Sequence, residues 1–174
     1  MEILCSLNSM FLGENNMRIG FASDIHRLQH GNKLMLGGVD VPHWQGEVAH
    51  SDGDVVYHAL AESILGALAL GDLGTHFPDN DPQYRGIDSS ILVRRVVEMM
   101  NEKGYIVNNV DISIFLEQPK LKPFILKMRE NIAKLLDVEI DCVSVKAGTN
   151  EKMDAIGMQL AVKAESIILL KEKE

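Results

Sequence analysis

Between residues 88 and 135 the apolar period changes twice, and this constrains the fold more than any other feature of the chain. Leu92, Val96, Met99 and Met100 share one helical face behind Asp88, a natural N-cap, and Gly104 ends the run. Val110, Ile112, Ile114 and Leu116 then alternate with a period of two, which predicts a strand with one buried face. Pro123 opens a second helical stripe of Ile125, Met128, Ile132 and Leu135. Segments of this kind bury their apolar sides when helices pack against a sheet. Further strand patterns lie at residues 17–23, 33–41, 143–147 and 159–170, and a helix is predicted over residues 54–69. The predicted class is therefore α/β or α+β, with helices packed on a mixed β-sheet. No repeat or interdomain linker divides residues 17–174, which read as a single domain. Residues 1–16 are mildly apolar, carry no Lys or Arg, and read as a flexible N-terminal extension.

Composition narrows the partners. At 174 residues and 46% hydrophobic, the chain can bury a substantial core. A formal charge of −8 argues against a polyanion-binding surface, so nucleic acid is not an expected partner. Cys5 and Cys142 form no CxxC motif and no disulfide framework, which suits a reducing compartment. No apolar run approaches the roughly 20 residues that span a bilayer. Neither a signal peptide nor a transit peptide is legible, so the expected location is cytoplasmic, with no membrane partner.

Polar residues cluster in four places. Asp24 and His26 flank Ile25 on a strand pattern, so both side chains share a face. His50, Ser51, Asp52, Gly53 and Asp54 crowd a loop-to-helix junction, with His58 one turn beyond Asp54. Capping accounts for Ser51, Asp52 and Asp54, but not for the two histidines. Asp24, His26 and His58 make an N/O donor set that leaves a coordination position open, as catalytic zinc sites do. The stretch from Gly71 to Pro82 is too rich in Gly, Pro, Asp and Asn for regular structure and reads as a functional loop whose Asp72, Asp79 and Asp81 suit polyol hydroxyls. Just past a strand, Gly148, Thr149, Asn150 and Glu151 form a turn able to cradle phosphate while the carboxylate holds a hard divalent cation. His30, His43 and His76 read as solvated or structural.

Taken in order, these segments resemble the 2-C-methyl-D-erythritol 2,4-cyclodiphosphate synthase family. The resemblance rests on Asp24-Ile25-His26, on Ala49-His50-Ser51-Asp52-Gly53-Asp54 with His58, on Gly71-Asp72-Leu73-Gly74 and on Phe77-Pro78-Asp79-Asn80-Asp81-Pro82. Pro119-Lys120 and Lys146-Ala147-Gly148-Thr149-Asn150-Glu151-Lys152 complete it. The resemblance implies a ferredoxin-like two-layer subunit and a homotrimer whose sheets line a central channel, with active sites between subunits. It implies cyclisation of 4-diphosphocytidyl-2-C-methyl-D-erythritol 2-phosphate with release of CMP, in the non-mevalonate route to isoprenoid precursors.

Carried over by position, Asp24, His26 and His58 would bind zinc, and Glu151 would hold magnesium or manganese with the substrate phosphates. His50 and Ser51 would contact the 2-phosphate, and His50 and Thr149 would stabilise the transition state. Asp72, Leu73, Gly74, Phe77, Pro78, Asp79, Asn80 and Asp81 would bind the methylerythritol portion. Leu116, Glu117, Gln118, Pro119, Lys120, Leu121 and Lys122, with Gly148, Thr149, Asn150 and Glu151, would bind cytidine diphosphate. Two departures stand out. Phe21, Ala22 and Ser23 replace a common His-Gly-Phe. Ala155, Met158 and Leu160 stand where relatives carry Phe, Arg and Glu. Met158 lacks the fork that holds a phosphate, so no isoprenoid diphosphate is expected in the channel. Two other readings fit parts of the pattern: a mononuclear non-haem iron enzyme built on two histidines and a carboxylate, and a trimeric metal- or nucleotide-binding module without turnover.

Overall fold

In the computed structural model the described residues are 16–49, 51–78, 81, 84 and 86–173. Strand β1 (Arg18–His30) is followed by β2 (Leu34–Leu36), β3 (Val39–Val41) and β4 (Gln45–Val48). Next come α1 (Val55–Ala67), α2 (Leu73–His76), α3 (Ser89–Glu102), β5 (Tyr105–Phe115), α4 (Ile125–Leu136), β6 (Val143–Gly148), α5 (Asp154–Gly157) and β7 (Ala161–Glu172). The main sheet has the order β4-β1-β7-β5-β6. Its pairs are antiparallel except β5 with β6, which makes the sheet mixed.

The helices lie on one face of this sheet, and strand alternation explains why. Ile112, Ile114, Val162, Ala164, Ile168 and Leu170 point into the core with Leu60, Ile64, Val93, Val96, Met128 and Ile132 from the helices. Side chains between them on the strands point the other way, leaving Ile19, Phe21, Ile25 and Ile167 exposed. Gly20 sets how closely α1 approaches. A Cβ there would stand 1.9 Å from the Ser63 carbonyl oxygen and 2.9 Å from the Ala67 Cβ, so the helix rests directly on the strand backbone.

α1 and α3 form where their patterns place them. Asp54 caps α1 by accepting the Val56 and Tyr57 N–H groups, and Asp88 caps α3 through Ser90 N–H. The β regions need correction. β1 extends to His30 rather than ending at 23, because β7 and β4 pair with its polar second half. Residues 33–41 form the β2–β3 hairpin rather than one strand. Its turn residues Gly37 and Gly38 have φ of 57° and 71° and donate their N–H groups to Asp54 at 2.9 and 2.6 Å. β4 is a strand that no pattern marked, and α2 is a short helix inside the polar stretch 71–82. β7 runs to Glu172, two residues beyond the predicted end.

Candidate metal centre

β1 and α1 meet over three polar side chains. Asp24 and His26 sit on the helix side of β1, while Ile25 between them is exposed. His58, four residues after the Asp54 cap, faces them from α1. His26 Nε2 lies 3.0 Å from Asp24 Oδ2, His58 Nδ1 lies 3.3 Å from the same oxygen, and the two nitrogens are 3.3 Å apart. Donors bound tetrahedrally to zinc at about 2.0–2.2 Å stand about 3.3 Å from one another. The three groups therefore already have the spacing of such an ion, and they are the metal-competent cluster found among the described residues.

Surrounding hydrogen bonds decide which atoms face inward. His26 Nδ1 is 2.9 Å from the Gly53 carbonyl oxygen and 2.6 Å from Glu47 Oε2. A carbonyl can only accept, so Nδ1 carries a hydrogen and Nε2 is left for a ligand bond. His58 Nε2 is 3.0 Å from Ser89 Oγ, which gives its own hydrogen to Asp52 Oδ1 at 2.5 Å. Ser89 must therefore accept from His58 Nε2–H, which turns Nδ1 inward. Asp24 Oδ1 accepts the Ile25 N–H at 2.8 Å, leaving Oδ2 for the centre.

The electrostatics follow from burial and pairing. Burial opposes the charge on Asp24, but its pairing with the His26 and His58 imidazoles outweighs it and holds the carboxyl well below its usual range. Burial likewise opposes charge on His26, and hydrogen bonds to Asp24 and Glu47 overcome it, pushing the ring up to about 10. Burial pushes Glu47 up to about 8 against its bond with His26. Without metal, a proton occupies His26 Nε2; a metal must displace it.

The triad opens into a cavity of about 620 Å³. Of the residues predicted for the substrate, Asp24, His26, Ser51, Leu73, Gly74 and Phe77 line it, joined by Glu62 and Tyr84. Asp72 caps α2, accepting the Thr75 N–H at 2.8 Å and its hydroxyl at 2.7 Å. Asp81 donates its N–H to the Pro78 carbonyl. His50, Asp79 and Asn80 lie outside the described residues. A separate cavity of about 350 Å³ brings Leu116, Pro119, Lys120, Leu121 and Lys122 together with Gly148 and Thr149. They meet because β5 and β6 pair in parallel up to Phe115 and Gly148. The Gln118–Pro119 peptide beside them is cis. Thr149 donates to Glu151 at 2.8 Å, Asn150 to Asp154 at 2.8 Å, and Lys152 N–H to Glu117 at 3.4 Å. Within one chain neither Thr149 nor Glu151 lines the triad's cavity.

Sequence reasoning missed Glu47, Ser89 and Glu62. Ser89 follows a cap and reads as part of it, and Glu47 stands in a four-residue strand too short to show a period. Glu62 had a detectable signal: it lies four residues beyond His58, on the same helical face.

The sequence pattern of the YgbB family matches residues 17–171. A 2-C-methyl-D-erythritol 2,4-cyclodiphosphate synthase of Fusobacterium nucleatum subsp. nucleatum is 48% identical over 158 residues, covering 91% of this chain and 99% of that protein. The synthase of Brachyspira hyodysenteriae is 51% identical over 156 residues, covering 90% and 99%. Among solved structures, the bifunctional IspDF of Campylobacter jejuni superposes with a TM-score of 0.89 at 35% identity over 92% of this chain, which spans 44% of that one. IspF of Plasmodium falciparum in a CDP complex superposes with a TM-score of 0.81 at 35% identity, covering 93% and 100%.

Proposed function

We infer the chemistry from one premise: the chain belongs to the YgbB family, that of the 2-C-methyl-D-erythritol 2,4-cyclodiphosphate synthases. It is a metal-binding phosphorus–oxygen lyase of isoprenoid-precursor synthesis, cyclising 4-diphosphocytidyl-2-C-methyl-D-erythritol 2-phosphate with release of CMP. The family places it there rather than among iron oxygenases or non-catalytic binding modules.

The substrate carries its own nucleophile. Its 2-phosphate oxygen bonds to the β-phosphorus, the anhydride bond to the α-phosphate breaks, and its electron pair leaves with CMP. The chain therefore has to position three phosphates and balance their charge. We assign zinc to Asp24, His26 and His58, and magnesium or manganese to Glu151. When bound, these ions supply Lewis-acid charge to phosphate oxygens. The observation that carries the zinc assignment is the inward facing of Asp24 Oδ2, His26 Nε2 and His58 Nδ1, each fixed by a hydrogen bond on its other side.

In our reading Ser51, whose Oγ is 3.1 Å from His58 Nε2, and His50 hold the 2-phosphate. His50 and Thr149 stabilise the transition state through polar contacts. Asp72, Leu73, Gly74 and the segment 77–81 grip the methylerythritol, and residues 116–122 with 148–151 hold the cytidine diphosphate end. Because Leu73, Gly74 and Phe77 line one cavity while Leu116, Pro119, Lys120, Leu121, Lys122, Gly148 and Thr149 line another, a site at a subunit boundary would join them. The exposed Ile19, Phe21, Ile25 and Ile167 supply an apolar sheet face that a homotrimer around a central channel would cover. We place the enzyme in the cytoplasm; no helix among the described residues is long and apolar enough to cross a membrane. Incubation with the diphosphocytidyl substrate and magnesium should release CMP, and a chelator should stop it. A metal-loaded protein that releases no CMP would overturn the reading.

A further inference from the structure

Glu62 lies one helical turn beyond His58 on α1 and lines the same cavity. Its Oε1 accepts the N–H of Leu73, the first residue of α2, at 3.0 Å. α2 has four residues, too few to hold itself, and Asp72 satisfies only the Thr75 N–H. Glu62 therefore ties α2, which brings Leu73 and Gly74 to the cavity wall, to the helix that bears His58. Its second oxygen has no hydrogen-bond partner among the described residues, although burial raises the carboxyl above its ordinary range. A partly buried acceptor beside Asp24 and His58 that spends one oxygen on structure has the other available for a ligand hydrogen.

We propose that Glu62 determines recognition of the substrate's polyol end: Oε1 pins α2 at a fixed distance from the metal centre, and Oε2 accepts a hydroxyl of the methylerythritol. This rests on the cyclase reading given above. The hydroxyl takes no part in bond making or breaking, so the contact is equal in the ground and transition states. Loss of such a contact raises KM and leaves kcat alone.

Glu62→Gln separates the two roles. Its amide oxygen still accepts the Leu73 N–H, but the opposite end becomes an NH2 donor that cannot take a hydroxyl hydrogen. A hydrogen bond to a charged group corresponds to about ten- to a hundredfold in binding. E62Q should therefore raise KM by about tenfold or more, with kcat within about twofold of wild type and unchanged CDP inhibition and zinc content. Glu62→Ala should raise KM at least as far. If E62Q keeps the wild-type KM while E62A is impaired, Glu62 only braces α2 and the proposal fails. It also fails if both variants keep the wild-type KM. An inert wild-type enzyme would instead strike at the cyclase reading itself.

Discussion

Glu47 and Ser89 matter to the metal centre although neither reaches the ion. Each holds the far nitrogen of a ligand ring, His26 in one case and His58 in the other. Loss of such a partner typically weakens metal binding by 10- to 100-fold. Glu47→Ala should thus lower zinc affinity by about that factor, measured by chelator competition. An unchanged affinity would mean that the Gly53 carbonyl alone suffices to orient His26. The same ring makes affinity depend on pH. His26 is pushed up to about 10 without metal, so below that pH each ion taken up must expel a proton. Apparent affinity should fall by about tenfold for each unit of pH lowered from about 9 to 7. The sign is fixed by the raised value: the metal-free form binds the extra proton, so acid favours metal release. Asp24 and His26 were legible because a strand alternates and brings them to one side. Glu47 was not, because its contact with His26 depends on the pairing of Leu28 with Glu47 between β1 and β4, which no local pattern carries.

Between elements, α1 approaches β1 closely at Gly20. A methyl group there would sit 1.9 Å from the Ser63 carbonyl oxygen, which is backbone and cannot turn aside. Gly20→Ala should destabilise the fold by about 1–3 kcal/mol or more, read as a lower urea midpoint, and should move α1 and His58 away from Asp24. An unchanged midpoint would mean that the helix shifts freely. The long elements were legible: α1 and α3 from their caps and stripes, β5 from its alternation. Short ones were not. The β2–β3 hairpin hid inside one apolar run, although the adjacent Gly37 and Gly38 carried the turn signal. α2 is stabilised from outside, by Glu62, so its own composition reads as loop.

At the scale of the whole molecule, the triad with Ser51, Leu73, Gly74 and Phe77 lines one cavity of the chain, while Leu116, Pro119, Lys120, Leu121, Lys122, Gly148 and Thr149 line another. If sites form between subunits, His58→Ala and Thr149→Ala chains, each inactive, should regain activity when unfolded and refolded together, because some boundaries then combine two intact halves. No recovery in mixed assemblies would place the whole site within one chain. The direct test of the account is phosphorus NMR of the purified protein with 4-diphosphocytidyl-2-C-methyl-D-erythritol 2-phosphate and magnesium. The account predicts resonances of CMP and a cyclic diphosphate, abolished by a chelator and by His58→Ala with the fold retained. Unchanged substrate with a folded, zinc-loaded protein, or turnover that survives His58→Ala, would contradict it.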